Sequence, residues 1–121
     1  MEKVLLAEFK KALDGLKIES AFRTYAGKKY PYLTYEYFEN DTTHEDGRTQ
    51  GELLCEIWTR KQYAELIDIK EKLKEFFKQK NIKVDNNVYH YDYASSSPED
   101  TGDSELKKLQ VSISVNYWKG A

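Results

Sequence analysis

Residues 51–80 read GELLCEIWTR KQYAELIDIK EKLKEFFKQK, and this stretch decides the fold. Its first part alternates: Leu53, Cys55 and Ile57 fall on one side, Leu54, Glu56 and Trp58 on the other, the period of a strand with one buried face. From Thr59 the period becomes helical. Leu66, Ile69, Leu73 and Phe76 form an apolar stripe widened by Ile67 and Phe77, with Asp68, Glu71, Lys72, Lys74, Glu75 and Lys78 opposite. Thr59 and Gln62 have the spacing of a capping box, and Trp58 and Tyr63 that of a hydrophobic staple. Lys78 and Lys80 suit the negative end of the helix dipole, and Asn81 is a residue type that adopts the left-handed conformation ending a helix. The stretch reads as a strand running directly into a helix.

Working outward, residues 1–14 repeat the helical pattern, with Leu5, Phe9, Ala12 and Leu16 on one face, Leu6 and Leu13 beside them, and Gly15 as the stop. Residues 18–25 read as a short strand broken at Gly27. Residues 31–38, PYLTYEYF, are a strand with Pro31 at its start, where a missing N–H costs least. Leu33, Tyr35 and Tyr37 line one face; Tyr32, Thr34, Glu36 and Phe38 line the other. The polar segment 39–50, ENDTTHEDGRTQ, then reads as a protruding hairpin tip, longer than most turns and for that reason a functional hint. Beyond the helix, Asp85-Asn86-Asn87 reads as a turn, and residues 88–94 as a strand with Tyr89, Tyr91 and Tyr93 on one side. Segment 95–104, SSSPEDTGDS, has no apolar residue and reads as a mobile surface loop. The last strand places Leu109, Val111, Ile113, Val115 and Tyr117 inward and Gln110, Ser112, Ser114, Asn116 and Trp118 outward. The expected fold is a single α+β domain over 1–121: an antiparallel or mixed four- to five-stranded sheet with two amphipathic helices packed on one face.

Composition bounds the function. A chain of 121 residues buries roughly two-thirds of the surface its unfolded form exposes, so its core needs no disulfide or metal. The one cysteine, Cys55, alternates with Leu53 and Ile57 as a small buried hydrophobe, which fits a reducing site of folding. The opening residues are too broken by charge for a signal peptide or a membrane span. Net charge is −2 with both signs interspersed, so the basic stripe that nucleic-acid binding requires is missing. Asn40-Asp41-Thr42 matches a glycosylation sequon by chance, given the missing secretory signal. Ten tyrosines suit a large sheet with one face on a core and the other in contact with something.

No phosphate loop, nucleophile elbow or helical His pair occurs, so no catalytic, cofactor-binding or metal residue is assigned and an enzyme is not expected. His44 and His90 lie in separate elements; a catalytic role for His90 and Asp92 would need both to converge with a tyrosine in one pocket. The candidate contact residues are the tip charges Glu39, Asp41, Glu45, Asp46 and Arg48 together with the outward aromatics Tyr32, Phe38 and Trp118. Large aromatics on a sheet face need cover, from a helix or from a neighbouring subunit.

Read together, these features resemble the tail terminator (tail completion, or head-tail joining) proteins of long-tailed bacteriophages and prophages. The features are the N-terminal helix ending near Gly15, the Pro31-Tyr32-Leu33-Thr34-Tyr35 strand and the polar tip. With them go the strand closing on Glu56-Ile57-Trp58 before an amphipathic helix, and the final strand after an acidic loop. The resemblance spans nearly the whole chain but leaves the tyrosine-rich strand at 88–94 and the Ser-rich loop unmatched. It implies a structural virion protein of the tail or neck, assembled in the host bacterial cytoplasm. Its copies would form a homo-oligomeric ring, commonly a hexamer, capping the tail tube protein and offering a docking surface to the head connector or stopper. DNA would pass through the lumen without specific binding, and no cofactor or membrane would be involved. Another neck or tail-tube component, or a small intracellular protein-binding module, fits the same residues.

Overall fold

The computed structural model describes residues 2–27, 29–40 and 47–118. In chain order its elements are α1 (Glu2–Gly15), β1 (Ser20–Phe22), β2 (Tyr32–Glu39), β3 (Arg48–Thr59), α2 (Ala64–Phe76), β4 (Lys80–Val84), β5 (Asn87–Glu99) and β6 (Lys107–Trp118). The strands form one sheet in the order β1-β2-β3-β6-β5-β4. β1 runs parallel to β2 and the remaining neighbours are antiparallel, so the sheet is mixed. The α+β class with two helices is as expected, with six strands in place of four or five.

The core follows from the alternation. Leu53, Cys55 and Ile57 of β3 and Leu109, Val111, Ile113 and Val115 of β6 all point inward and are buried. Leu5, Phe9 and Leu13 of α1 and Leu66, Ile69 and Leu73 of α2 join the same cluster. Both helices therefore cover one face, and Phe9 ties them to the sheet through ring contacts with Tyr35 (5.2 Å) and Phe77 (5.3 Å). Cys55 is fully enclosed, and burial pushes its thiol far up, so it behaves as an apolar filler.

Tyr91 shows a cost in this core. Its ring is fully buried, yet its hydroxyl has no hydrogen-bond partner. An unpaired buried hydroxyl forfeits its hydration without return, so Tyr91→Phe should raise stability by about 1 kcal/mol. Urea unfolding checks this; an unchanged or lower midpoint would show that the hydroxyl is satisfied.

Several local expectations are corrected by tertiary pairing. Thr59 and Gln62 do not form a capping box. Thr59 is the last residue of β3, where it pairs with Lys107, and α2 starts later, after Tyr63. The Thr59 hydroxyl accepts from the Lys61 N–H (3.1 Å) and donates to the Glu65 carboxylate (2.9 Å), so it still orders the helix start through a different partner. Trp58 does not staple onto Tyr63 either, because strand alternation turns it to the sheet's other face.

The far end of α2 also differs. The helix stops at Phe76, and Asn81 lies inside β4 rather than ending the helix; the left-handed residue is Gln79, at φ +46°. Phe77 is drawn into the core, which turns the chain into β4 and onward through the Asp85-Asn86 hairpin, with Asp85 at φ +55°. At α1, Gly15 is the last helical residue and not the stop. Lys17, at φ +60°, holds the left-handed position: its N–H bonds Asp14 O and the Ile18 N–H bonds Leu13 O (both 3.0 Å), a Schellman closure. Lys17→Gly should therefore stabilise the fold by about 0.5–1 kcal/mol, read as a raised melting temperature.

The segment 95–104 is not a loop throughout. β5 continues to Glu99, with Ser95 to Glu99 opposite Ser112 to Lys108 of β6 after a bulge at Ala94. Backbone pairing does not require apolar side chains at a sheet edge, so composition alone misread this piece. The hairpin tip is likewise shorter than 39–50. Arg48, Thr49 and Gln50 already pair with Trp118, Tyr117 and Asn116, which leaves 40–47 as the connection.

Candidate functional site

The outward sheet face has two ends, and β2, β3, β6 and β5 each contribute to both. At the end from which the 40–47 connection leaves, Phe38 stands opposite Glu52, while Arg48 and Trp118 are register partners. Phe38 is 53% exposed, the highest value among the exposed large hydrophobics of the described residues. A shallow hollow beside it is lined by Phe38, Gln50, Glu52, Ser112 and Ser114, and the Ser112 hydroxyl donates to the Glu52 carboxylate. Arg48 and Trp118 are half-buried.

Glu39 belongs to this end but points to the core side, where it accepts a hydrogen bond from the Tyr117 hydroxyl. Burial first, and the Glu39 carboxylate second, push the Tyr117 phenol up to about 12. Burial also raises Tyr89 and Tyr91. The sign follows from proton linkage: the unfolded phenols ionise near pH 10, before the folded ones. Stability is complete below about pH 10 and falls between about pH 10 and 12, where the unfolded state binds fewer protons. Urea midpoints measured on either side of pH 10 should show this drop, and Tyr117→Phe should flatten it.

Of the candidate contact residues, Phe38, Arg48 and Trp118 share the outward face at this end, with Arg48 and Trp118 about 13 Å along the strands from the level of Phe38, and Glu39 lies on the core side. Asp41, Glu45 and Asp46 lie outside the described residues. Tyr32 sits at the opposite end of β2, roughly 20 Å away at about 3.3 Å per residue. There it stacks on Tyr25 (ring centroids 4.3 Å apart) and lies near-parallel to Trp58 (6.2 Å), with Tyr30 beside it. Lys108 Nζ lies 4.7 Å over the Trp58 ring and pairs with Glu56 at 3.3 Å. Arg60 bonds Asp103 at 3.1 Å. The N–H of Glu105, and then Arg60, hold the Asp103 carboxyl below its ordinary range. The rings thus cover one another, which answers the need for cover raised by the outward aromatics. Sequence reading missed this cluster, although the outward place of Trp58 in the alternation was its signal.

His90 and Asp92 share the outward face of β5, while Tyr89 and Tyr91 point to the core. His90 Nδ1 lies 2.7 Å from Asn81 Oδ1, and Asp92 accepts from the Gln79 N–H, so the three groups do not converge. Among the described residues no three His, Cys, Asp or Glu side chains are grouped to hold a metal, and no helix is long and apolar enough to cross a membrane.

No known protein-family model matches the chain, and no curated protein matches it in sequence. The surface chemistry of the fold therefore carries the functional reading.

Proposed function

We propose that this chain is the subunit of a ring that caps a phage tail tube, ends its polymerisation and presents the head-docking surface. The observation that carries the reading is the end of the sheet at Phe38. A large exposed aromatic stands at the root of a polar connection rich in acidic residues, and Arg48 and Trp118 lie on the same face about 13 Å further along β3 and β6. Exposed aromatics rimmed by polar groups mark surfaces that bind protein. The opposite end of the same face is covered by its own stacked rings, so the asymmetry favours docking at one end. A closed ring presents two unlike faces, one able to copy the tube's stacking contact and one that halts growth.

The test is particle mass by light scattering over a concentration series, negative-stain imaging, and binding to tail tubes of the phage or prophage that encodes the chain. A ring with a central hole, bound at one tube end and arresting elongation, is the expected result. Replacing 41–46 by a two-residue turn should leave the fold intact and abolish that arrest. A protein that stays monomeric and leaves tube lengths unchanged would overturn the proposal, and a monomer that captures another protein would favour the binding-module reading.

A further inference from the structure

The free edges of the sheet are not equally closed. At the β1 edge the outward carbonyls of Ser20 and Phe22 are taken, by Lys10 Nζ (2.8 Å) and the Thr24 N–H (2.7 Å). At the other edge the second half of β5 carries Pro98, placed where its missing N–H faces outward and costs no ladder bond. β4 is the stretch left open. Its antiparallel register with β5 turns the backbone N–H and C=O of Asn81 and Lys83 away from the sheet, and both residues are exposed. Among the described residues nothing bonds these groups. Left-handed backbone at Gln79 (φ +46°) and Asp85 (φ +55°) bounds the strand, so Asn81 and Lys83 are its whole outward set.

The side chains beside this edge are apolar where it faces the helices. A hollow between α1, α2 and β4 is lined by Ala12, Leu16, Phe76 and Ile82, each half-buried. Lys80 leans back over the Phe76 ring, its Nζ 4.7 Å from the centroid, in a hollow shared with Glu71 and Glu75. Its charge is therefore balanced within the chain, and on the outward side of β4 Lys83 alone is basic.

We propose that this edge pairs with itself: β4 strands of two copies run antiparallel about a two-fold axis at Ile82, carrying the sheet from one copy into the next. An open row of backbone groups is a template for another strand. Backbone and charge together select the register. With Asn81 opposite Lys83 of the second copy, every outward N–H and C=O of both strands gains a partner. Ile82 then meets Ile82 of the second copy in a non-hydrogen-bonded pair, the closer kind, on the side of the apolar hollows. Lys83 faces Asn81 and Lys80 faces Val84, so no like charges stand directly opposite. Sliding one way sets Lys83 against Lys83, which like charge opposes; sliding the other way sets Lys83 against Gln79, which lies outside the strand. The inference stands apart from the ring reading: a two-fold contact closes at two copies, so it describes the chain off the tube.

Light scattering over a concentration series should show the mass rise from 14.2 kDa to twice that value. Lys83→Pro removes an N–H that the β4–β5 ladder does not use, so the chain stays folded and its mass stays that of one copy. Lys83→Ala keeps the N–H and pairs like the parent. Circular dichroism melts show that each variant is folded. Cross-linking gives a readout independent of the proline. Ile82→Cys meets its own copy at about 4.5 Å between Cα atoms, a spacing a disulfide spans, so mild oxidation should yield a covalent pair. Val84→Cys faces Lys80 and should not cross-link, and the buried Cys55 does not compete. A parent that stays at one copy, a folded Lys83→Pro that still pairs, or equal cross-linking at positions 82 and 84 overturns the contact. Rings that form alike in the parent and in Lys83→Pro, with no pair, overturn it and leave the ring reading standing. Pairs that behave as expected beside tubes of unchanged length support this contact and overturn the ring reading alone.

Discussion

Phe77→Ala is expected to cost about 3–5 kcal/mol, a large share of the stability of a domain this size. Phe77 is fully buried just past the end of α2, with ring centroids 5.3 Å from Phe9, 4.8 Å from Phe76 and 5.3 Å from Tyr91. Its ring therefore bridges α1, the end of α2 and β5. Its backbone is engaged too: the N–H closes α2 onto Leu73 O, and the carbonyl accepts from the Tyr93 N–H. Removing the ring leaves a cavity that these hydrogen-bonded neighbours cannot easily fill, so both the transfer and the cavity terms apply. Urea unfolding measures the loss. Ile67→Ala is the control, since Ile67 is 41% exposed on the same helix and should lose less than about 1 kcal/mol. Similar losses in the two variants would refute the placement of Phe77.

Gly51→Val is expected to destabilise by about 1–3 kcal/mol, against the usual preference of strands for valine. Gly51 lies inside β3, paired with Glu39 on one side and Val115 on the other. A Cβ built there would overlap the Tyr37 hydroxyl and ring, and Tyr37 is itself buried. The glycine exists so that a tyrosine can lie across the strand, a use of close backbone approach. The pair Gly51→Val with Tyr37→Leu should recover part of the loss, because the smaller side chain frees the space. A neutral Gly51→Val would show that the Tyr37 ring can leave the core freely.

The chain itself determined much of the architecture. Alternation in β2, β3 and β6 fixed which side chains are buried, and the helical stripe Leu66, Ile69 and Leu73 fixed the face of α2. Cys55 was legible as core because its neighbours two residues away are leucine and isoleucine. Phe38 and Trp118 were legible as outward for the same reason of period. Such patterns survive because burial of one face is a property of the local sequence.

Tertiary structure decided where elements begin and end and what the outward face does. Thr59, Arg48 and Ser95 all lie in strands because a partner strand satisfies their backbone groups, and no local signal reports a distant partner. The same holds for the aromatic cluster of Tyr25, Tyr32 and Trp58, whose members come from separate segments and are joined by pairing. Lys80, Tyr91, Val115, Gly51 and Glu39 are successive register partners only because five strands pair in this order. Side-chain period is written in the chain; strand partners and register are set by long-range hydrogen bonding.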